Sequence, residues 1–212
     1  MQRRARLGVI ALAAVVLISA MCLALEQYKQ HVFLRRMQKN GRISIYTFFS
    51  SVAVEPLKPV DLRVLPRSCG AGSFRTSTDF IRASQVLLVR RGIERRCSFE
   101  SFGAPELGAP VCRSRDPSQF LSTNNAWCIV ADLEEDDFGE SVVDDAPYMF
   151  TKNLEVDSLA EIDAVLGRDS AMPQGGGVVV AQCNGVAIAL TSKRQIKDYF
   201  GKLHMANVVL RP

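Results

Sequence analysis

The chain has 212 residues, with 26 lysines and arginines against 22 aspartates and glutamates, six cysteines and two histidines. Its formal charge of +4 comes largely from the N-terminal region and its flanks, and no basic-aromatic stripe accompanies it, so a nucleic-acid partner is not expected. His31 and His204 are the only histidines, and a serine nucleophile needs one beside it, so the composition argues against hydrolase chemistry and the chain reads as non-enzymatic.

Residues 7–25, LGVIALAAVVLISAMCLAL, carry no charge and follow Arg3, Arg4 and Arg6. As a helix this run is about 28 Å long, close to the hydrocarbon thickness of about 30 Å, so it predicts one membrane crossing. A cleaved export signal is the competing reading. The run exceeds the usual apolar core of such signals, Cys22-Leu23-Ala24 is a poor cleavage site, and helical character continues past Glu26. Ser19-Ala20-Met21-Cys22 lacks the small residue that lipidation needs before its cysteine. The three arginines abut the run, whereas Lys29, Arg35, Arg36 and Lys39 alternate with Val32, Phe33, Leu34 and Met37. That asymmetry predicts a cytoplasmic N-terminus in the inner membrane and a periplasmic or extracellular domain.

Three divisions follow: a basic tip and transmembrane helix over 1–25, an amphipathic stalk over 26–54 and a single α+β ectodomain over 55–212. Asn40-Gly41 has the form of a helix stop, and the β-branched and aromatic residues of 43–54 have strand propensity. Pro56, Pro59 and Pro66 mark a connection. A helix is predicted from Ser77 to about Arg91, capped by Ser77 or Thr78, with Phe80, Ala83 and Leu87 on one face. Residues 126–133 read as a strand with one buried face, 148–156 as a second strand, and 157–167 as a short helix with Ser158 and Glu161 at capping-box spacing. Residues 178–183 and 186–190 flank Asn184-Gly185, the dipeptide best suited to a type I′ hairpin. Ser192 and Gln195 open a helix that Gly201 ends, and 203–210 return as a last strand. The sheet is expected to be mainly antiparallel.

Glu134, Glu135, Asp136, Asp137, Asp144 and Asp145 form the one acidic loop that could hold calcium, although without EF-hand spacing; a solvated loop is the alternative, and no other cofactor is indicated. Cys97 and Cys112 flank a glycine- and proline-rich stretch and are candidates for a disulfide, while Cys128 and Cys183 sit in apolar runs and read as half-buried thiols. Gly175-Gly176-Gly177 leads into a strand, which removes the helix N-terminus a phosphate loop requires. Trp127 reads as a core anchor.

Ser77-Thr78-Asp79-Phe80, the stretch from Ser98 to Pro105, Asn125-Ala126-Trp127-Cys128-Ile129-Val130-Ala131-Asp132, Pro147-Tyr148-Met149-Phe150-Thr151-Lys152-Asn153 and the glycine entry at 175–180 follow the anchoring helix. Together they resemble the pseudopilins of type II secretion and the type IV pilin-like proteins abundant in Verrucomicrobia and Lentisphaerae. The resemblance implies one long helix, from about Leu7 to Val54, packed on a small antiparallel sheet; 43–54 would then be helical despite their strand propensity. It implies partners that are other pilin-like subunits, bundled through the N-terminal helix. Family members are processed after a glycine and carry glutamate at the fifth mature position. Here Gly8 and Val9 are the one candidate cleavage pair, and Ala13 stands where the glutamate would be. A terminal amine in the bilayer would then lack its carboxylate partner. That departure keeps a second reading open: a single-pass anchored ligand-binding or sensory module.

Overall fold

The computed structural model describes residues 2–49, 67–70, 73–90, 98–133, 146–167, 171–201 and 207–212. Two compact units divide the chain, one over Met1–Phe33 and one over Leu34–Pro212. Helix α1 (Gln2–Phe49) contributes to both. In the first unit the described side chains from 12 to 32 are exposed, among them Val15, Val16, Leu17, Ile18, Met21 and Leu23. The helix is long and apolar enough to cross a membrane, which is compatible with the expected anchor.

The predicted stop at Asn40-Gly41 does not occur, because helix α1 runs through it. The reason is packing. A Cβ at Gly41 would lie 3.0 Å from Trp127 Cη2 and 3.2 Å from Ala181 Cβ, so glycine here lets the helix approach the sheet closely. Strand propensity likewise fails over 43–49, and the helical continuation implied by the resemblance holds as far as Phe49; 50–54 lie outside the described residues. Gly41, Ser44, Ile45 and Phe48 recur at helical spacing and are all buried. Tertiary burial therefore overrides intrinsic preference.

Helix α2 (Ser77–Arg90) starts as predicted, but its cap is Thr76. Thr76 Oγ1 accepts from Asp79 N at 3.1 Å and donates to Asp79 Oδ2 at 2.9 Å. Ser77 and Thr78 are freed to turn inward. The buried face carries Phe80, Ile81, Ser84 and Gln85, with Ala83 only half-buried.

Five strands follow in one antiparallel sheet: β1 (Trp127–Val130), β2 (Pro147–Thr151), β3 (Val178–Gln182), β4 (Ala187–Leu190) and β5 (Val209–Leu210), in the spatial order β4-β3-β2-β1-β5. The first two are shorter than the spans 126–133 and 148–156 predicted for them. Trp127, Ile129, Met149, Thr151, Val179 and Ala181 share one face by register. Residues 34–49 cover that face through Gly41, while Phe200 of helix α4 (Lys193–Gly201) meets Phe150 on the opposite face, with ring centroids 5.7 Å apart. Strands β1, β2 and β3 are thus buried on both sides, and the single buried face expected for 126–133 is corrected. A short 3₁₀ turn and helix α3 (Ile162–Val165) fill 159–165, where Ser158 Oγ accepts from Ala160 N at 3.3 Å and Glu161 Oε2 accepts from Asp157 N at 3.1 Å.

The hairpin forms where predicted, with a different turn. Gln182 N donates to Val186 O at 2.8 Å and Gly185 N to Gln182 O at 3.0 Å, closing a three-residue loop. Gly185 has φ of 83°, whereas Asn184 stays out of the positive-φ region. This is a type I turn with a glycine bulge in place of type I′. Asn184 Oδ1 accepts from Val186 N at 2.8 Å, which holds that alternative geometry.

Candidate functional site

The first feature with functional meaning is the exposed apolar surface of residues 12–25. Leu12, Val15, Val16, Leu17, Ile18, Met21, Leu23 and Leu25 are each 53–67% exposed. A contiguous surface of this kind is unfavourable in water and favourable in a lipid or helix-bundle environment. Gly8 and Val9 lie within helix α1, upstream of that surface. Beyond it, Lys29 pairs with Glu26 at 2.9 Å on an exposed face.

The second feature is the seat of residues 34–49 in the globular unit. Ser44 Oγ and Ser101 Oγ are 2.8 Å apart in a buried contact, and Trp127 Nε1 donates to Ser101 O at 3.2 Å. Phe48 meets the rings of Phe80, Phe102 and Tyr148 at centroid distances of 5.6, 5.8 and 5.6 Å. Arg36 pairs with Glu106, and Gln38 Nε2 donates to Ala187 O at 3.4 Å. Apolar contact supplies the attraction here, and these polar bonds fix the rotation of the helix about its axis.

Buried Asn125, named above only within a motif segment, has a role that sequence reasoning did not assign. Its Nδ2 donates to Ser77 Oγ at 2.8 Å and to Thr78 Oγ1 at 3.2 Å, and its Oδ1 accepts from Trp127 N at 2.9 Å. Ser77 Oγ in turn donates to Trp127 O at 2.8 Å. The segments around 77–80, 98–105 and 125–132 therefore converge on Trp127, with Ala126 N donating to Phe102 O at 2.8 Å. Pairing between residues about fifty positions apart is invisible to local sequence pattern.

The acidic candidates Glu134, Glu135, Asp136, Asp137, Asp144 and Asp145 lie outside the described residues, as do Cys97 and His204. Among the described residues no group of three or more metal-ligating side chains gathers. Cys112 is a buried free thiol whose Sγ lies 3.7 Å from Gln119 O. Cys128 is buried and Cys183 half-buried. The glycine triplet leads into β3 as read, and Asn153 Nδ2 donates to Gly177 O at 2.8 Å beside it. Past the end of β1, Asp132 takes φ of 56° and its carboxylate accepts from Ser68 N at 3.0 Å and from Ser68 Oγ. Asn207 Nδ2 donates to Asp132 O at 2.8 Å, so this end of β1 is clamped.

Burial pushes the Cys128 thiol up to about 12, against an ordinary 9.0. Cys128 is therefore expected to resist iodoacetamide at pH 8 in the native chain while exposed Cys69 reacts, and to become reactive once the chain is unfolded, as read by peptide mass mapping. Because the folded-state value is raised, this contribution to stability is complete below pH 9 and is lost as pH rises toward 12, at about 1.4 kcal/mol per unit.

Comparison of the chain with protein-family models, with curated proteins and with solved structures finds no match.

Proposed function

We propose that this chain is a non-enzymatic, membrane-anchored, pseudopilin-like structural subunit of a secretion or pilus-type assembly, held in the inner membrane with its N-terminus cytoplasmic. The observation that carries the reading is helix α1 itself. Its residues 12–25 present apolar side chains on every side, and its residues 34–49 are built into a small antiparallel sheet domain. A helix used only as a tether does not need glycine, serine and aromatic positions tailored to a sheet over its outer turns. A subunit that transmits lateral helix packing to a surface domain does. The convergence of the motif segments on Trp127 supports the same reading.

A second reading, an anchored ligand-binding or sensory module, is favoured by one observation: Ala13 where an assembling subunit would present a carboxylate. Intact-mass and N-terminal analysis of the chain taken from its native membrane separates the two. The subunit reading expects a mature chain beginning at Val9, with Gly8 the last residue removed. A chain retaining Arg3, Arg4 and Arg6 transfers the assignment to the anchored module.

A further inference from the structure

A cleft of about 410 Å³ opens on the globular unit. Its walls come from the turns at 107–108 and 122–123, the end of β2, the segment before the glycine triplet and the end of β5. They are fixed before any ligand arrives. Asn124 Nδ2 donates to Pro110 O at 3.0 Å and its Oδ1 accepts from Leu121 N at 3.2 Å. Gln174 Nε2 donates to Glu106 O at 3.1 Å, and Asn153 Nδ2 donates to Gln174 O.

The charged lining consists of Lys152, Arg211 and Glu155. Arg211 is shared with Asp157, 3.5 Å away. Lys152 is half-buried, and among the described residues no carboxylate pairs with it. Partial burial lowers its proton affinity, as expected of a cation that has lost water without gaining an anion. Ser122 and Thr123 add hydroxyls, and Leu107 is the one large aliphatic side chain in the wall. The volume lies at the small end of ligand pockets, about 300–1,000 Å³.

We propose that this cleft binds a carboxylate flanked by hydroxyl groups, the chemistry of a uronic acid, with Lys152 and Arg211 on the carboxylate and Glu155, Ser122 and Thr123 on the hydroxyls. A compact dianion such as phosphate is disfavoured by the Glu155 carboxylate, whereas a hydroxylated monoanion uses it as an acceptor. An apolar ligand finds no aromatic platform. The source is either a free sugar acid or a uronate within a glycan, and both present the same groups. The assignment is independent of the subunit reading, since it uses no residue of helix α1.

The test is calorimetric titration of sodium D-galacturonate into the full chain in lipid nanodiscs, with D-galactose as the uncharged comparison. Saturable binding is expected with Kd of about 1 mM for a ligand of this size. Galactose is expected to bind at least about tenfold more weakly, and Lys152→Met to weaken galacturonate by a similar factor, because a charge-assisted bond is lost. Arg194→Met, an exposed cation elsewhere, should leave binding unchanged. Glu155→Gln provides a second reading that does not touch the ammonium: it should weaken galacturonate and strengthen inorganic sulfate. Absence of saturable binding, equal binding of galactose, or undiminished binding by a folded Lys152→Met chain overturns the proposal. The methyl glycoside of galacturonate separates the sources: retained affinity places the ligand within a glycan, and lost affinity assigns the cleft to free sugar acids, the shared chemistry holding in both.

Discussion

Trp127→Ala is expected to destabilise the globular unit by about 3–5 kcal/mol, lowering its thermal midpoint by about 10 °C. The indole is fully buried, fills the space under Gly41 and donates to Ser101 O, so its removal leaves a cavity together with an unpaired carbonyl. Near-UV circular dichroism melting of the full chain in nanodiscs reads the shift. Gly41→Val gives the companion measurement, since its Cβ would press on the same ring. On the wild-type background it should cost about 1–3 kcal/mol through overpacking. In the Trp127→Ala background the penalty should shrink, because the cavity accepts the added methyl groups. Additive costs would show that helix α1 and Trp127 do not share this contact.

The second large effect is on the membrane. Val16→Arg with Leu17→Arg places two guanidinium groups near the middle of the apolar run, at about 2.5–3.5 kcal/mol each on insertion scales. Both native side chains are about 60% exposed, so no internal packing compensates for or complicates the change. The wild-type chain should stay with the bilayer through carbonate washing and leave only with detergent. The double variant should appear in the wash or be degraded before it accumulates. A double variant that remains bilayer-associated would show that residues 7–25 are not what holds the chain there.

Elements whose signals are local were legible in advance. The Ser192–Gln195 helix start, the Ser158–Glu161 turn and the Asn184-Gly185 hairpin each depend on side chains bonding backbone within a few residues, and each formed. Gly41 shows the opposite case. Read locally, Asn-Gly after a basic run ends a helix; read in the fold, that glycine accommodates an indole from a strand far along the chain. The residues of 43–49 follow the same logic, because Ile45 and Phe48 gain more by burial at helical spacing than they lose in propensity. Periodicity also misjudged β1, since alternation presumes one wet face and here helices cover both. The cleft was out of reach altogether: Ser122 and Thr123, Lys152 and Glu155, and Arg211 come from three distant segments, and no spacing rule connects those segments.

The order β4-β3-β2-β1-β5 has a consequence for the timing of folding. Strands β1 to β4 pair with successive neighbours, so they can zip together as synthesis proceeds, but the outer edge of β1 is completed only by β5. Val208 O receives Ala131 N at 2.8 Å, and Arg211 O receives Ser77 N at 2.9 Å, so the same short segment also fastens the start of α2. The apolar span is translated long before this clasp exists. During that interval the sheet still has an open edge, a state exposed to strand-mediated mispairing until residues 208–211 arrive.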